Sequence, residues 1–276
     1  MHQRLSRVKS RSAAIRFLLS RAQFKECFAV VNQPGFRNSA LAGLQVAIAA
    51  LVVLPLIELS DFSHLIGFAS LGTLVALFGR FAAPERRGFT VFLCLLCQTA
   101  TVFVMSLVAW LELPMVGQLA ILALLCGTLF YIVTVGDFGP PGALIFIFAA
   151  SVSMGQVDTF ASVLERTTAT AVAAALAWLV VMITDVFRHD TPAAQDWFKS
   201  RPASHKLIAV ARMVLGSAVA AYVAYAFGGQ HAGWAAMGAV AVLQGSHLHI
   251  SMSRALQRTI GNVLGALLVA LVLLSQ

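Results

Sequence analysis

Residues 89–111 read FTVFLCLLCQTATVFVMSLVAWL, an apolar run without one charged side chain. About 20 such residues suffice for a helix to cross the ~30 Å hydrocarbon layer of a bilayer. The run does not alternate, so it is not a barrel strand, and a helix satisfies its backbone groups internally. Eight further stretches have the same character: Ser39–Ile57, Leu65–Gly79, Met115–Val135, Ala143–Gly155, Thr167–Phe187, Leu207–Phe227, Ala232–Gln244 and Ala255–Leu274. The expected fold class is all-α, a polytopic helical membrane protein with about nine transmembrane helices.

Composition agrees. Hydrophobic residues make up 59% of the 276-residue chain and charged residues 11%, whereas soluble domains sit near 45–50% and about 25%. A soluble fold of this length has too little interior to hide that excess. A soluble enzyme, a nucleic-acid-binding domain and a disordered chain are all disfavoured. The net charge of +8 is distributed as an orienting signal, not as a nucleic-acid face. With the N-terminus in the cytoplasm, 18 of the 19 Lys and Arg residues lie inside, and Arg166 alone lies outside. Glu58, Asp61, Glu112 and Asp158 then fall in outer loops.

The chain divides into four parts. Residues 1–36 are a basic cytoplasmic or interfacial segment, in which Ala14, Ile15, Leu18, Leu19 and Ala22 form an apolar stripe beside Arg16, Arg21 and Lys25. Residues 37–187 hold six spans. Residues 188–206 are a polar cytoplasmic connector, and residues 207–276 hold three more spans.

An internal repeat links the halves. Gly67, Gly72 and Gly79 recur as Gly233, Gly238 and Gly245, with Phe68-Ala69 matching Trp234-Ala235 and Leu77 matching Leu243. After a gap of two, Arg86 falls opposite Arg254. Six spans separate the copies, so both enter the membrane in the same direction, a parallel repeat about an axis along the membrane normal. The matching helices are short and glycine-interrupted. Such pairs point to a substrate path near the midplane, and close helix packing through small residues is the rival explanation. The second copy is incomplete at Gln276, so we expect a piece of a longer protein.

Few residues in the spans can carry chemistry. Asp137 lies in Gly136-Asp137-Phe138-Gly139-Pro140-Pro141-Gly142, which is either a cytoplasmic turn or a broken-helix site whose carboxylate takes protons. Asp185 reads as an interfacial anchor. His231 either couples proton entry to transport or simply sits beside the interfacial Trp234. Arg212 snorkels inward or meets substrate. Cys94-x-x-Cys97 lies mid-span and, with Cys126, reads as packing. His247 and His249 lack partners for a metal. No nucleophile–base pair, metal set or phosphate loop is present, so neither an enzyme nor a cofactor is expected. Arg258 opens the last span ahead of Gly261-x-x-x-Gly265. That arrangement is either an anchor with a packing motif or an anion-recognising fork beside closely approaching backbone.

The segments HAGWAAMGAVAVLQGS (231–246) and SRALQRTIGNVLGALL (253–268) resemble the fusaric acid resistance protein-like (FUSC) family of bacterial membrane proteins. Trp234, Gln244, Arg258, Gly261 and Gly265 match its pattern, and Asn262 stands where the family has Thr. The resemblance implies an inner-membrane exporter of aromatic carboxylic acids driven by the proton gradient. Trp234, Gln244, Arg258, Gly261 and Gly265 would frame the substrate path, with Asp137 and His231 as coupling candidates. Partners implied are membrane lipid, a small organic anion, a periplasmic adaptor protein and further copies of the chain, and no nucleic acid. Distant relatives, the plant aluminium-activated malate transporters, are organic-anion channels, and that activity is the alternative. A third reading is a non-transporting membrane component of a larger complex.

Overall fold

A computed structural model describes residues 36–188, 203–244 and 248–274. The described residues form nine α-helices, with no strand among them: α1 (Phe36–Glu58), α2 (Ile66–Thr73), α3 (Pro84–Trp110), α4 (Met115–Gly136), α5 (Leu144–Val152), α6 (Phe160–Ile183), α7 (Ala203–Ala226), α8 (Ala232–Leu243) and α9 (Leu248–Leu274). Each of the nine expected spans overlaps one of them, and α1, α3, α6, α7 and α9 begin three to seven residues before the expected start. The interfacial segment before residue 36 and residues 189–202 of the connector lie outside the described residues, and the last four connector residues, 203–206, belong to the start of α7. The chain forms two compact units, one covering residues 33–240 and the other including residues 241–276.

Five helices, α1, α3, α4, α6 and the part of α7 from Ser204, are long and apolar enough to cross a bilayer. Their outward faces carry large apolar side chains, among them Leu51, Leu124, Val172, Leu179 and Val219. Rows of exposed aliphatics at mid-helix would be untenable in water and are ordinary in hydrocarbon. The protein is a polytopic helical membrane protein.

Three of the expected spans are shorter than the apolar runs that contain them. The second is a 3-10 turn (Ser63–Leu65), eight α-helical residues (α2) and a further 3-10 turn (Leu74–Leu77). The change of pitch follows Thr73, whose Oγ1 bonds back to the carbonyl of Ser70 at 2.7 Å. Phe78 is then extended and Gly79 has φ +71°, a conformation that ends helices and suits glycine. The fifth span is the nine-residue α5, about 14 Å long. Before it, Asp137 takes a left-handed conformation, the Pro140 to Pro141 bond is cis, and Gly139 and Gly142 have positive φ. After it, Gly155 has φ +116°. The eighth span, α8, has 12 residues, about 18 Å.

Small residues join the helices of the larger unit. Val53 of α1, Ala69 of α2 and Ala173 of α6 form one buried cluster. A Cβ built on Gly72 would stand 2.5 Å from the Thr170 carbonyl oxygen and 2.7 Å from Ala173 Cβ. The α2–α6 contact is therefore backbone on backbone, held also by Thr170 Oγ1 donating to the Phe68 carbonyl at 3.2 Å. The glycine matching Gly67 in the repeat register, Gly233, packs on Ser151 and Met154, whereas Gly67 faces open space. Matching positions thus serve different packing roles.

Antiparallel directions follow from the contacts. Trp178, near the end of α6, donates to the Gly88 carbonyl near the start of α3 at 3.0 Å. At the other end of the same pair, Trp110 meets Phe160 at 5.3 Å between ring centroids. Tyr222, near the end of α7, donates to the Val116 carbonyl at the start of α4 at 2.9 Å. At the start of α6, Thr159 caps the helix by accepting the Ser162 N–H at 3.2 Å.

Candidate functional site

The three short helices of the larger unit meet around α5. Leu71 of α2, Val102 of α3 and Ala149 of α5 form a buried cluster, with Phe68, Leu74 and Phe148 packed against it. Phe78, just past the second 3-10 turn, stacks on Phe146 at 4.9 Å with the rings nearly parallel. On its other side α5 meets α8: Ser151 Oγ donates to the Gly233 carbonyl at 3.1 Å, and Phe148 meets Trp234 edge to face at 6.2 Å. Phe148 thereby joins the α2 cluster to Trp234.

Polar groups in this region are neutral. Gln98, at mid-helix in α3 and 0% exposed, donates from Nε2 to the Leu71 carbonyl at 3.2 Å. The tightening from α to 3-10 pitch at Leu74 changes which donors reach the last α2 carbonyls, and Gln98 supplies one. Its Oε1 is buried without a partner. Thr101 and Ser106 are buried on the same helix. A buried amide with an unmet acceptor is costly in an apolar interior and is a chemically useful feature in a substrate path.

The residues singled out from sequence fall in several places. Trp234 is 52% exposed, and its ring meets His231 at 5.7 Å; these two are brought together. Asp137 is exposed in the left-handed turn that closes α4, where its N–H bonds the Val133 carbonyl. Gln244 directly follows α8. Arg258, Gly261 and Gly265 lie on α9 at helical spacing, so they share one face. Arg258 is half-buried, and a Cβ on Gly261 or Gly265 would meet open space. Trp234 and His231 belong to the larger unit, whereas Gln244 and Arg258 belong to the other. The side chains of Arg254, Gln257 and His249, together with Gly245 and His247, lie outside the described residues.

Two charged regions sit at opposite ends of α3. At its start, Arg87 pairs through Nη1 with Asp185, which opens a 3-10 turn (Asp185–Phe187) just after α6. Arg87 is 2% exposed and Asp185 37%. Arg188 Nη2 donates to the carbonyls of Arg80 at 3.1 Å and Ala82 at 2.5 Å. Asn38 of α1 reaches the same Arg80 carbonyl at 3.4 Å, and two helical turns further in Gln45 donates to Thr184 Oγ1 at 2.6 Å. Arg80 lies over the Phe81 ring at 5.3 Å, and burial pulls its pKa below the ordinary arginine value. Arg80, Arg87 and Arg188 read from sequence only as orienting charges, and Asp185 only as an anchor. The structure makes them one cluster.

At the far end of α3, Glu112 and Asp158 line a cleft of about 540 Å³ with Gln118 and Gln156. Gln118 braces it by donating to the Leu113 carbonyl at 3.0 Å and accepting the Gly155 N–H at 3.2 Å. Basic and acidic loops therefore segregate to the two ends of the larger unit.

No curated protein and no solved structure matches the chain. Residues 219–276, which run from the later part of α7 through α9 and contain Trp234, Gln244, Arg258, Gly261 and Gly265, match the family model described as Fusaric acid resistance protein-like.

Proposed function

We propose that this protein is a secondary exporter of weak organic acids, with aromatic carboxylates as the substrate class and the proton gradient as the driving force. It would work in a bacterial inner membrane with its N-terminus in the cytoplasm. The observation that carries this reading is the packing of α5 between α2 and α8, three helices too short to cross alone, with the buried amide of Gln98 reaching the α2 end of the group. Non-helical backbone at membrane depth is tolerated where protein buries it or where it lines a cavity, and short, interrupted helices at repeat positions mark substrate sites. The similarity of residues 219–276 to fusaric acid resistance proteins supplies the acid.

In this reading the short helices and Trp234 are the proposed path elements of the larger unit. In the other unit, Arg258 is the proposed carboxylate recogniser, with Gly261 and Gly265 keeping the helix surface open beside it and Gln244 as a further substrate-binding candidate. Asp137 and His231 are the proton-coupling candidates. The tasks are selectivity and alternating access, with no bond made or broken. A periplasmic adaptor and further copies of the chain are the proposed protein partners.

One observation favours a second reading. Among the described residues, Arg87 is the one charged side chain that is buried, and no carboxylate is. An anion channel needs no buried proton acceptor. Export of labelled benzoate from loaded cells distinguishes the two. Exporter activity collapses when a protonophore is added, whereas channel flux follows the benzoate gradient with or without it. No flux of any acid from proteoliposomes would discard both and leave a non-transporting membrane component.

A further inference from the structure

We propose that the cleft at the far end of α3 is a binding site for an organic amine, taken up as its ammonium ion. The site rests on Glu112, Gln118 and Asp158 and does not depend on the export reading.

The cleft holds about 540 Å³, and Leu113, Met115 and Val157 wall it beside the polar groups. A calcium ion needs roughly six to eight oxygens at about 2.3–2.6 Å and would leave most of that volume empty. Clefts of roughly 300–1,000 Å³ suit small organic ligands. Gln118 is the buried polar element of the wall, 6% exposed. Its Nε2 donates to the Leu113 carbonyl and its Oε1 accepts the Gly155 N–H, so each atom uses one of its two hydrogen-bonding positions and keeps one. A buried amide with positions to spare favours a further polar partner.

The acids decide the charge of that partner. Asp158 is offset electrostatically by Arg166, whose Nη2 donates to the Gln156 carbonyl at 3.5 Å, and Glu165 pairs with His64 at 3.6 Å. The Glu112 carboxylate has no cation paired with it among the described residues, so the cleft keeps a net negative charge. An ammonium group carries three N–H donors. The two carboxylates and the spare Gln118 Oε1 position are three acceptors, and the apolar wall covers hydrocarbon.

Glu112 also stands where local energetics favour another residue. It closes α3, with its own N–H on the Ala109 carbonyl at 3.0 Å and the Leu113 N–H on the Val108 carbonyl at 3.4 Å, and its φ is +54°. Helix ends of this form favour glycine at that position, and the C-terminal end of a helix disfavours a carboxylate. The carboxylate sits there at a cost to stability, and a bound cation offsets that cost.

The test is scintillation-proximity binding of tritiated benzylamine to the full chain in nanodiscs, with empty nanodiscs as background. We expect saturable binding that benzyl alcohol, the neutral counterpart, does not compete away. Glu112→Gln should weaken it about fivefold, the scale of one solvent-screened ion pair. The double variant Glu112→Gln/Asp158→Asn should lose saturable binding. Glu85→Gln, at the opposite end of α3, should leave it unchanged. Glu112→Gly should weaken binding while raising the melting temperature, whereas a fall in melting temperature would make the carboxylate structural and overturn its role as a ligand. Absence of saturable binding, equal competition by benzyl alcohol, or binding indifferent to the Glu112 and Asp158 variants overturns the proposal. Displacement of benzylamine by micromolar calcium overturns the organic ligand and assigns the carboxylates to a metal ion.

Discussion

Arg87 and Asp185, 98 residues apart in sequence, form an ion pair at the start of α3, with the guanidinium almost wholly buried and the carboxylate about one-third exposed. The asymmetry decides what each partner is worth. Removing Asp185 leaves a buried charge uncompensated, whereas removing Arg87 leaves a carboxylate that can turn to water or headgroups.

The first prediction follows from that asymmetry. Breaking a fully buried pair costs about 3–5 kcal/mol, and partial exposure of Asp185 scales this down to about 1–3 kcal/mol. Asp185→Asn should lower the melting temperature of the detergent-solubilised protein. The double variant Arg87→Met/Asp185→Leu should recover part of the loss. A double variant whose loss equals the sum of the two singles, read by differential scanning fluorimetry, would show that the residues are not coupled.

Gly72 makes a steric prediction. Its missing Cβ is what lets α2 lie against the backbone of α6, because a Cβ there would press on the Thr170 carbonyl oxygen, a backbone atom that cannot rotate away. Gly72→Ala should destabilise by about 1–3 kcal/mol through overpacking. Gly67→Ala, facing open space, should be close to neutral. Equal melting temperatures for the two variants would contradict the packing.

Gln98 links stability and transport. Gln98→Leu removes one of two donors to the Leu71 carbonyl, which also accepts from the Leu74 N–H, so about 1 kcal/mol, the net worth of one hydrogen bond, should be lost. If the short-helix cluster lines the path, benzoate export should also fall by more than tenfold, since about 1.4 kcal/mol at the transport step is a factor of ten. Gln98→Glu, which keeps an acceptor and adds a carboxylate to the path, should stabilise poorly and repel an organic anion. Full export by Gln98→Leu in folded protein would place the path elsewhere.

Arg258 carries the anion in the proposed function. Arg258→Ala should abolish carboxylate export without reducing the amount of protein inserted in the membrane, measured by immunoblot of the membrane fraction beside the efflux assay. Arg258→Lys should retain only part of the activity, because an ammonium lacks the two-pronged geometry. Unchanged export by Arg258→Ala would remove that residue from the path and leave it as an interfacial anchor.

Much of the architecture was legible in the chain. The run at 89–111 and its eight companions each coincide in large part with a helix, because hydrophobicity over about 20 residues and the need to saturate backbone hydrogen bonds act locally. The segregation of Arg80, Arg87 and Arg188 from Glu112 and Asp158 was also visible, as a rule of loop charge. The glycine motif of the second span foretold its interruption, since Gly79 ends the segment with a positive φ.

The candidate site was legible only in part. Trp234 was found through its place in the repeat and the family pattern, yet its partner Phe148 carries no signal beyond being one more aromatic in an apolar stretch. Gln98 was invisible for the same reason: a lone Gln within a 23-residue apolar run has no meaning until the carbonyl it reaches is known. Asp185 looked like an anchor because nothing near it in sequence is basic until Arg188, while Arg87 lies in another helix.

By itself the sequence determined that the chain is a helical membrane protein, where its helices lie and which loops are basic, since those properties arise from windows of neighbouring residues meeting a solvent of fixed thickness. Tertiary structure alone decided that α2 and α8 both pack on α5, that Gln98 adds a second donor to the Leu71 carbonyl at the end of α2, and that Arg87 meets Asp185. Each depends on the rotation and axial register of packed helices, set by small residues such as Gly72 and Ala173 that admit one approach of the backbones and exclude others.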